Sequence, residues 1–284
     1  MLQDLAFGKL DNAFHDFSPQ PEDFVICVRD GGILLQRDAD DTLHLPTWAA
    51  VQSLTADWSH WNEKPWQYVF CMQGANYYIW MGQAGECPGF HYEQARTLRQ
   101  LQSKEICFAA MTAWHLYNWY RVNRYCGNCG GKTVHDGKER MMRCPECGNM
   151  IFPRISPAVI VAVTDGDRLL LSKYAGRAYT RYALIAGFTE IGETLEQTVA
   201  REVMEEVGLK VRNIRYYKSQ PWGVDGNVLM GFYCDLDGSD SIHIDETELS
   251  MAEWFPRDDL PAHDDGISLT REMIRIFEEG KEPK

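Results

Sequence analysis

Gly187-Phe188-Thr189-Glu190-Ile191-Gly192-Glu193, continued by Arg201-Glu202-Val203-Met204-Glu205-Glu206-Val207-Gly208-Leu209, is the stretch whose reading decides the fold. It predicts a glycine-bounded loop followed by a helix. Glu202, Glu205 and Glu206 stand at i, i+3 and i+4, which puts three carboxylates on one helical face. Like charges at that spacing weaken a helix by a few tenths of a kcal/mol per pair unless a cation sits among them. Hard divalent ions such as Mg²⁺ take oxygen ligands, usually a few carboxylates plus substrate phosphates. The alternative for a bare ExxEE is a solvated acidic face.

Working outward, the chain has 284 residues, which suggests two domains, and its 45% apolar content suffices for ordinary cores. A net charge of −13 argues against nucleic-acid binding through a broad basic surface and suits a small phosphorylated substrate at a metal site. Met1 to Leu10 carries Asp4 and Lys9 and has no apolar signal core. No apolar run is long enough for a membrane span. Four of the nine cysteines form two CxxC pairs, and Cys27, Cys71, Cys87, Cys107 and Cys234 are scattered. An odd count without a signal points to a reducing cytoplasm.

Residues 1–121 read as a β-rich N-terminal domain ending in helices. Phe24–Val28 and Ile33–Gln36, joined by Asp30-Gly31-Gly32, read as strand, turn, strand. Tyr68–Met72 and Tyr77–Met81, joined by Gly74-Ala75-Asn76, read as a second hairpin. Trp48, Trp58, Trp61 and Trp66 crowd the space between, as core or interface rather than a ligand-stacking platform. Residues 91–121 read as helical, with one apolar stripe of Tyr92, Ala95, Leu98 and Leu101 and another of Phe108, Met111, Ala113, Leu116 and Trp119. Residues 156–284 read as an α/β domain. Its buried strand is Ala158–Val163, Asp165-Gly166-Asp167 turns into Leu169–Leu171, further strands lie near Tyr216-Tyr217 and Leu229–Cys234, and a terminal helix covers Ser268–Glu279.

Between them, residues 122–155 hold Cys126-Gly127-Asn128-Cys129 and Cys144-Pro145-Glu146-Cys147, with fourteen residues separating the pairs. Two CxxC turns at this spacing can set four thiolates tetrahedrally around one Zn²⁺, and Gly127, Gly130, Gly131 and Gly148 permit the tight turns. A redox dithiol would need one CxxC at a helix start in a thioredoxin-like unit, which the sequence lacks. Four thiol ligands leave no open position, so the zinc is expected to be structural and to supply the small ribbon's folding free energy.

The opening stretch fits Gly-x5-Glu-x7-Arg-Glu-(apolar)-x-Glu-Glu-x-Gly-(apolar) at nine positions, a chance match on the order of one in ten million at average residue usage. It resembles the box of the Nudix hydrolases, which act on nucleoside diphosphates linked to another moiety, with divalent metal, on an α/β/α sandwich. A zinc ribbon before that box, a variable β-rich N-terminal domain and Ser219-Gln220-Pro221-Trp222 after it resemble the NADH pyrophosphatases of the NudC type. The fold class implied is mixed α+β and α/β. The activity implied is cleavage of NAD(H) into NMN(H) and AMP with Mg²⁺ or Mn²⁺; bacterial members also remove NAD caps from RNA. The resemblance further implies a homodimer with substrate near the subunit interface.

Carried over by residue, the resemblance implies Glu202 and Glu206 as metal ligands with Glu205 as ligand or base, the Ala186 carbonyl as a further oxygen, and Glu248 as the acid from beyond the box. Glu193 and Arg201 pair to fix the loop against the helix. Phe152 and Phe188 match positions that sandwich the nicotinamide, with Ile160 near them. Glu139 matches a substrate contact before the third cysteine. Gln220, Pro221, Trp222 and Thr270 fall at further substrate positions. Relatives continue Gln-Pro-Trp as Pro-Phe-Pro-x-Ser, over the adenosine side; this chain reads Gly223-Val224-Asp225-Gly226-Asn227, which is more flexible and more acidic. Thr270 stands where alanine closes on the adenine. Both departures bear on which dinucleotide is preferred. ADP-ribose, diadenosine polyphosphates and capped RNA are the alternative substrates, and a non-hydrolytic dinucleotide sensor is the alternative of another class. Lys132, Lys138, Arg140 and Arg143 read either as a basic stripe for an RNA tail or as ordinary solvated surface.

Overall fold

Two hairpins in the N-terminal half turn on pairs of left-handed residues, which sets their strand pairing. The computed structural model describes residues 1, 3–4, 10–52, 64–82, 85, 88–94, 104–176, 181–261 and 266–284. Trp58, Trp61, Cys87, Ala95, Leu98 and Leu101 of the sequence reading lie outside the described residues. The chain divides into two compact units. One comprises Met1, Ile155–Pro221 and Asn227–Lys284, the other Leu2–Arg154 and Trp222–Gly226.

The N-terminal unit contains β1 (Leu10–Asp11), β2 (Phe24–Arg29), β3 (Gly32–Arg37), β4 (Leu43–His44), α1 (Trp48–Val51), β5 (Trp66–Met72), β6 (Ala75–Trp80), β7 (His91–Gln94) and α2 (Lys104–Val122). Its sheet runs β1-β5-β6-β2-β3-β4, with β7 also on β3; β2 and β6 are parallel. Asp30 and Gly31 (φ 49° and 79°) join β2 to β3, and Gln73 and Gly74 (φ 55° and 81°) join β5 to β6. Two successive left-handed residues match the natural strand twist of a two-residue hairpin. The second turn is therefore Gln73-Gly74, and Ala75 and Asn76, expected in it, already belong to β6. A second correction concerns residues 91–94, expected to be helical. They form β7 because β3 offers an open edge, and Leu34 pairs with Tyr92 there. Arg29 over the Tyr92 ring at 4.1 Å and Arg37 on Glu93 at 3.2 Å hold it in place. The helical stripe of Phe108, Met111, Ala113, Leu116 and Trp119 is buried along α2 as the periodicity predicts. Trp48 and Trp66 meet edge-on at 5.1 Å.

The ribbon adds β8 (Val134–His135), β9 (Met142–Arg143) and β10 (Met150–Ile151) as a three-stranded antiparallel sheet. Of the two readings of its basic residues, the continuous stripe is not intact. Arg140 turns away from solvent to the Val69 carbonyl and to Asn12 Oδ1 at 3.1 Å, and Arg143 pairs with Asp136 at 3.2 Å. Burial of the Arg140 head pushes its pKa down. Lys132 and Lys138 alone of the four stay exposed.

The second unit holds β11 (Ser156–Asp165), β12 (Arg168–Tyr174), β13 (Ile185–Phe188), α3 (Leu195–Val207), β14 (Val211–Trp222, its last residue in the other unit), β15 (Asn227–Leu236), β16 (Leu249–Pro256) and α4 (Leu269–Glu278). The sheet order is β14-β15-β11-β12-β16, with β13 on β11 and β11 parallel to β15. Period-2 alternation on β11 sends Val159, Val161 and Val163 to one face and Ile160 and Ala162 to the other. Val199, Val203 and Val207, at i, i+4 and i+8 of α3, cover the first face. Leu269, Met273, Ile274 and Phe277 of α4 cover the second. This is the α/β/α layering. Phe277, with no exposed surface, would cost about 3–5 kcal/mol on truncation to alanine.

Candidate active site

Helix α3 starts where the chemistry requires it. Thr194 caps it: its hydroxyl accepts the Gln197 N–H at 3.3 Å, and the Gln197 side chain accepts the Thr194 N–H at 2.8 Å. Gly208, left-handed at φ 70°, ends it. Two residues of the loop between β15 and β16 then take up the last carbonyls. His243 donates to Val207 O and Asp245 to Glu206 O, each at 2.9 Å. That tie brings the loop carrying Glu248 back beside the acidic helix.

Within α3, Glu202 and Glu206 are buried, at 9% and 2% exposure, while Glu205 is exposed. One helical turn places Glu206 about 40° from Glu202 and Glu205 about 60° to the other side, toward solvent. The single expected carboxylate face thus has two buried members and one at its rim. Arg201 organises them. Its Nε and Nη2 donate to Glu193 at 2.6 and 3.0 Å, Nη1 donates to Glu202 at 2.8 Å and Glu205 at 2.9 Å, and Nη2 also donates to the Phe188 carbonyl at 2.9 Å. The forked pair with Glu193 locks the loop to the helix. Arg201, the Glu190 N–H and the Thr198 hydroxyl hold the Glu193 carboxyl down at about 2. Arg201 itself is held further up, first by Glu193. Glu202 is raised, first by burial; Arg201 opposes this, and the charges of Glu205 and Glu248 add to it. Glu248 is therefore within electrostatic reach of Glu202.

Strand β13 supplies the floor. A Cβ on Gly187 would lie 1.9 Å from the Glu202 carboxylate carbon, so the carboxylate occupies the space any side chain would take. Ala186, in register with Ile160, and Phe188, in register with Ala158, point to the opposite face of the sheet. Ile160 is buried there in the core under α4, whereas Phe188 is 53% exposed. Hard carboxylate oxygens in excess over one guanidinium form a donor set that fits Mg²⁺ or Mn²⁺.

The other expected site residues are less uniform. The Gln220 side chain is fully buried; its Nε2 donates to Ile267 O at 2.7 Å and its Oε1 accepts the Leu269 N–H at 2.8 Å, which fixes the start of α4. Thr270 is half-buried on the first turn of that helix, and Pro221 is exposed. Glu139, Phe152 and Trp222 belong to the N-terminal unit. Glu139 and Phe152 are exposed there; Trp222 is buried, its indole N–H on Asp225 Oδ2 at 3.0 Å. Sequence reading passed over Thr198, whose buried hydroxyl donates to Glu193 at 2.9 Å, and Asp245. Thr198 carries a signal, since it stands one helical turn after the cap; Asp245 carries none.

The four cysteine sulfurs lie within 4.8 Å of one another, with Cys126–Cys147 at 3.6 Å and Cys129–Cys144 at 3.5 Å. Both pairs sit on the same turn: Gly130 N–H donates to Cys126 O at 2.8 Å and Gly148 N–H to Cys144 O at 2.9 Å, with both glycines left-handed. The Cys129 and Asn128 N–H groups pull the Cys126 thiol down to about 6. The Gly131 N–H lowers Cys129, but the neighbouring sulfurs outweigh it and push that thiol up to about 12. Sulfurs this crowded fit one tetrahedral zinc in place of their protons.

The NUDIX domain family model matches residues 154–276, and that of the NADH pyrophosphatase zinc ribbon domain matches residues 121–152. The NAD-capped RNA hydrolase NudC of Pectobacterium atrosepticum is 37% identical over 69% of this chain and 76% of its own. The protein of that name from Stutzerimonas stutzeri is 33% identical over 88% of this chain and 85% of its own. A NUDIX hydrolase structure from Nitrosomonas europaea aligns with TM-score 0.48 and 25% identity, covering 55% of this chain and 91% of that one. The fold and box define a Nudix hydrolase. With its zinc ribbon, the chain belongs to the NudC-type family of these enzymes. The family uses divalent metal for hydrolysis, and the four-cysteine cluster is its structural zinc site.

Proposed function

We propose that this chain hydrolyses the pyrophosphate of NAD(H) to NMN(H) and AMP and removes NAD caps from RNA. The observation that carries the reading is the intact box, with Glu202 and Glu206 buried side by side on α3 and Glu202 seated on Gly187. The names of the curated relatives support the substrate class. Glu202, Glu206 and Glu248, with the Ala186 carbonyl, offer the oxygen ligands. When bound, Mg²⁺ or Mn²⁺ neutralises the pyrophosphate oxygens as a Lewis acid and acidifies water. Arg201 keeps the carboxylates in place through its fork. Glu205, tied to Arg201 and exposed at the rim, is the acceptor for the proton of the attacking water. Phe188 and Phe152 offer aromatic faces to the nicotinamide. Glu139, Pro221, Trp222 and Thr270 are the further substrate contacts of this reading, whereas Ile160 is buried in the core under α4 and serves packing instead. The enzyme works as a homodimer in the cytoplasm. Among the described residues no helix is long and apolar enough to cross a membrane.

The test is product chromatography with Mg²⁺ or Mn²⁺ on equimolar NADH, NAD⁺, ADP-ribose, diadenosine tetraphosphate and NAD-capped RNA. AMP with NMNH from NADH, and 5′-monophosphate RNA from the capped RNA, are expected. Turnover confined to ADP-ribose or the diadenosine compound would overturn the substrate assignment. Glu206→Gln should lose at least about 10²-fold in rate while folding normally.

A further inference from the structure

The turn that departs from the relatives' Pro-Phe-Pro-x-Ser is built onto α2. Trp222–Gly226 clusters with the N-terminal unit, although it connects β14 to β15. Gly223 is not left-handed, so conformation does not demand glycine there. Space does: a Cβ would lie 2.2 Å from Met111 O and 2.8 Å from Met111 C, both backbone atoms that cannot swing aside. Gly226, left-handed at φ 71°, would place its Cβ 3.3 Å from His115 Nε2. That nitrogen is also 2.8 Å from the Arg154 carbonyl, and a carbonyl only accepts, so Nε2 carries the ring proton. Met111 and His115 stand at i and i+4, hence on one stripe of the helix. Both glycines of the turn meet that stripe, and His115 joins it to the backbone just before β11. Within the turn, Asp225 accepts the Trp222 indole N–H, so Trp222 is itself held in place.

We propose that helix α2 holds the Trp222–Gly226 turn in its substrate-binding conformation, with Gly223 and His115 as positioning residues for the dinucleotide. The inference rests on the proposed function for the substrate contact at Trp222. It gives the N-terminal unit a part in recognition: α2 sets the turn, and the turn sets the affinity. The two glycines then have a reason that loop flexibility does not supply. They let the backbone of the turn approach a helix that a side chain at Gly223 would push away.

The experiment compares Gly223→Ala, His115→Ala and His115→Gln with Gly137→Ala, a control whose Cβ meets open space. Two readouts are needed: KM and kcat for NADH hydrolysis, and equilibrium binding of NADH by its own fluorescence, which requires no turnover. Gly223→Ala should raise both KM and Kd by about tenfold, a factor equal to about 1.4 kcal/mol, with kcat within about twofold. His115→Ala should raise them about threefold, and His115→Gln, which keeps an N–H donor, should recover most of the loss. Unchanged KM and Kd in both Gly223→Ala and His115→Ala overturn the proposal. So does a fall in kcat at constant KM. If the parent binds NADH without cleaving it, the proposed function fails and the binding comparison still decides this inference. A parent that does not bind NADH overturns both.

Discussion

Gly187→Ala separates the catalytic role of Glu202 from its packing. The added methyl would start 1.9 Å from the Glu202 carboxylate carbon. Ordinary contact between carbons is about 3.5–4 Å, so the carboxylate must withdraw by at least about 1.5 Å. It is the far end of a flexible side chain, tethered by Arg201 at 2.8 Å, so it can move with little strain. Gly187 has no positive φ, and alanine in a strand removes the entropic cost of glycine, so stability should stay within about 1 kcal/mol of the parent. The geometry pays instead. A misplacement of 1 Å can cost about 10²-fold, so kcat should fall by about 10² or more, near 3 kcal/mol of transition-state stabilisation. The assay is steady-state hydrolysis of NADH across a Mn²⁺ titration, alongside thermal melting and zinc content. A variant that melts like the parent and retains kcat within about threefold would refute the claim that Glu202 works from where it sits against β13. A variant that fails to fold would refute the claim that the side chain can yield.

Three further outcomes follow from the same structure. Zinc analysis should give about one zinc per chain, and Cys144→Ser should reduce this to near zero with unfolding of the ribbon, because four thiolates and few apolar side chains hold it. His135, beside Tyr120 at 5.0 Å, has its pKa lowered from 6.5 to about 4, mainly by burial. The unfolded chain then binds the extra proton between those values. The stability His135 lends is full above pH 6.5 and is lost as pH falls toward 4, by up to about 3 kcal/mol; denaturant titrations at several pH values should show this slope, and His135→Phe should flatten it. Arg140→Ala should destabilise by about 1–3 kcal/mol, since it leaves the Val69 carbonyl without its guanidinium donor. It should not change the salt dependence of capped-RNA turnover; a reduced salt slope would return Arg140 to the RNA-binding role that its burial denies.

Much of the site was legible because its residues are close in the chain. Spacing along one helix relates Arg201, Glu202 and Glu206, and two CxxC turns carry their own geometry, so local pattern suffices for the Nudix box and the zinc cluster. The buried strand at Ala158–Val163 was legible as a continuous β-branched apolar run and the α4 helix from its apolar side, although Ser268, read as the first helical residue, is its cap. Residues 91–94 were misread because pairing with the edge of β3 outweighs local propensity, and that edge comes from residues some sixty positions earlier.

What the sequence by itself determined is therefore the identity of the machinery: the box, the ribbon, the order of the elements and the family. Tertiary structure alone decided how that machinery is seated. It set Glu202 against Gly187, put Glu205 at the rim, tied Asp245 to the end of α3 so that the charge of Glu248 is felt at Glu202, and committed Gln220 to the start of α4. It also turned Arg140 inward and laid Gly223 on Met111. The physical reason is range. A motif encodes what residues within a turn or two of each other must do, whereas burial, close backbone approach and charge coupling arise between segments that only the folded chain brings together.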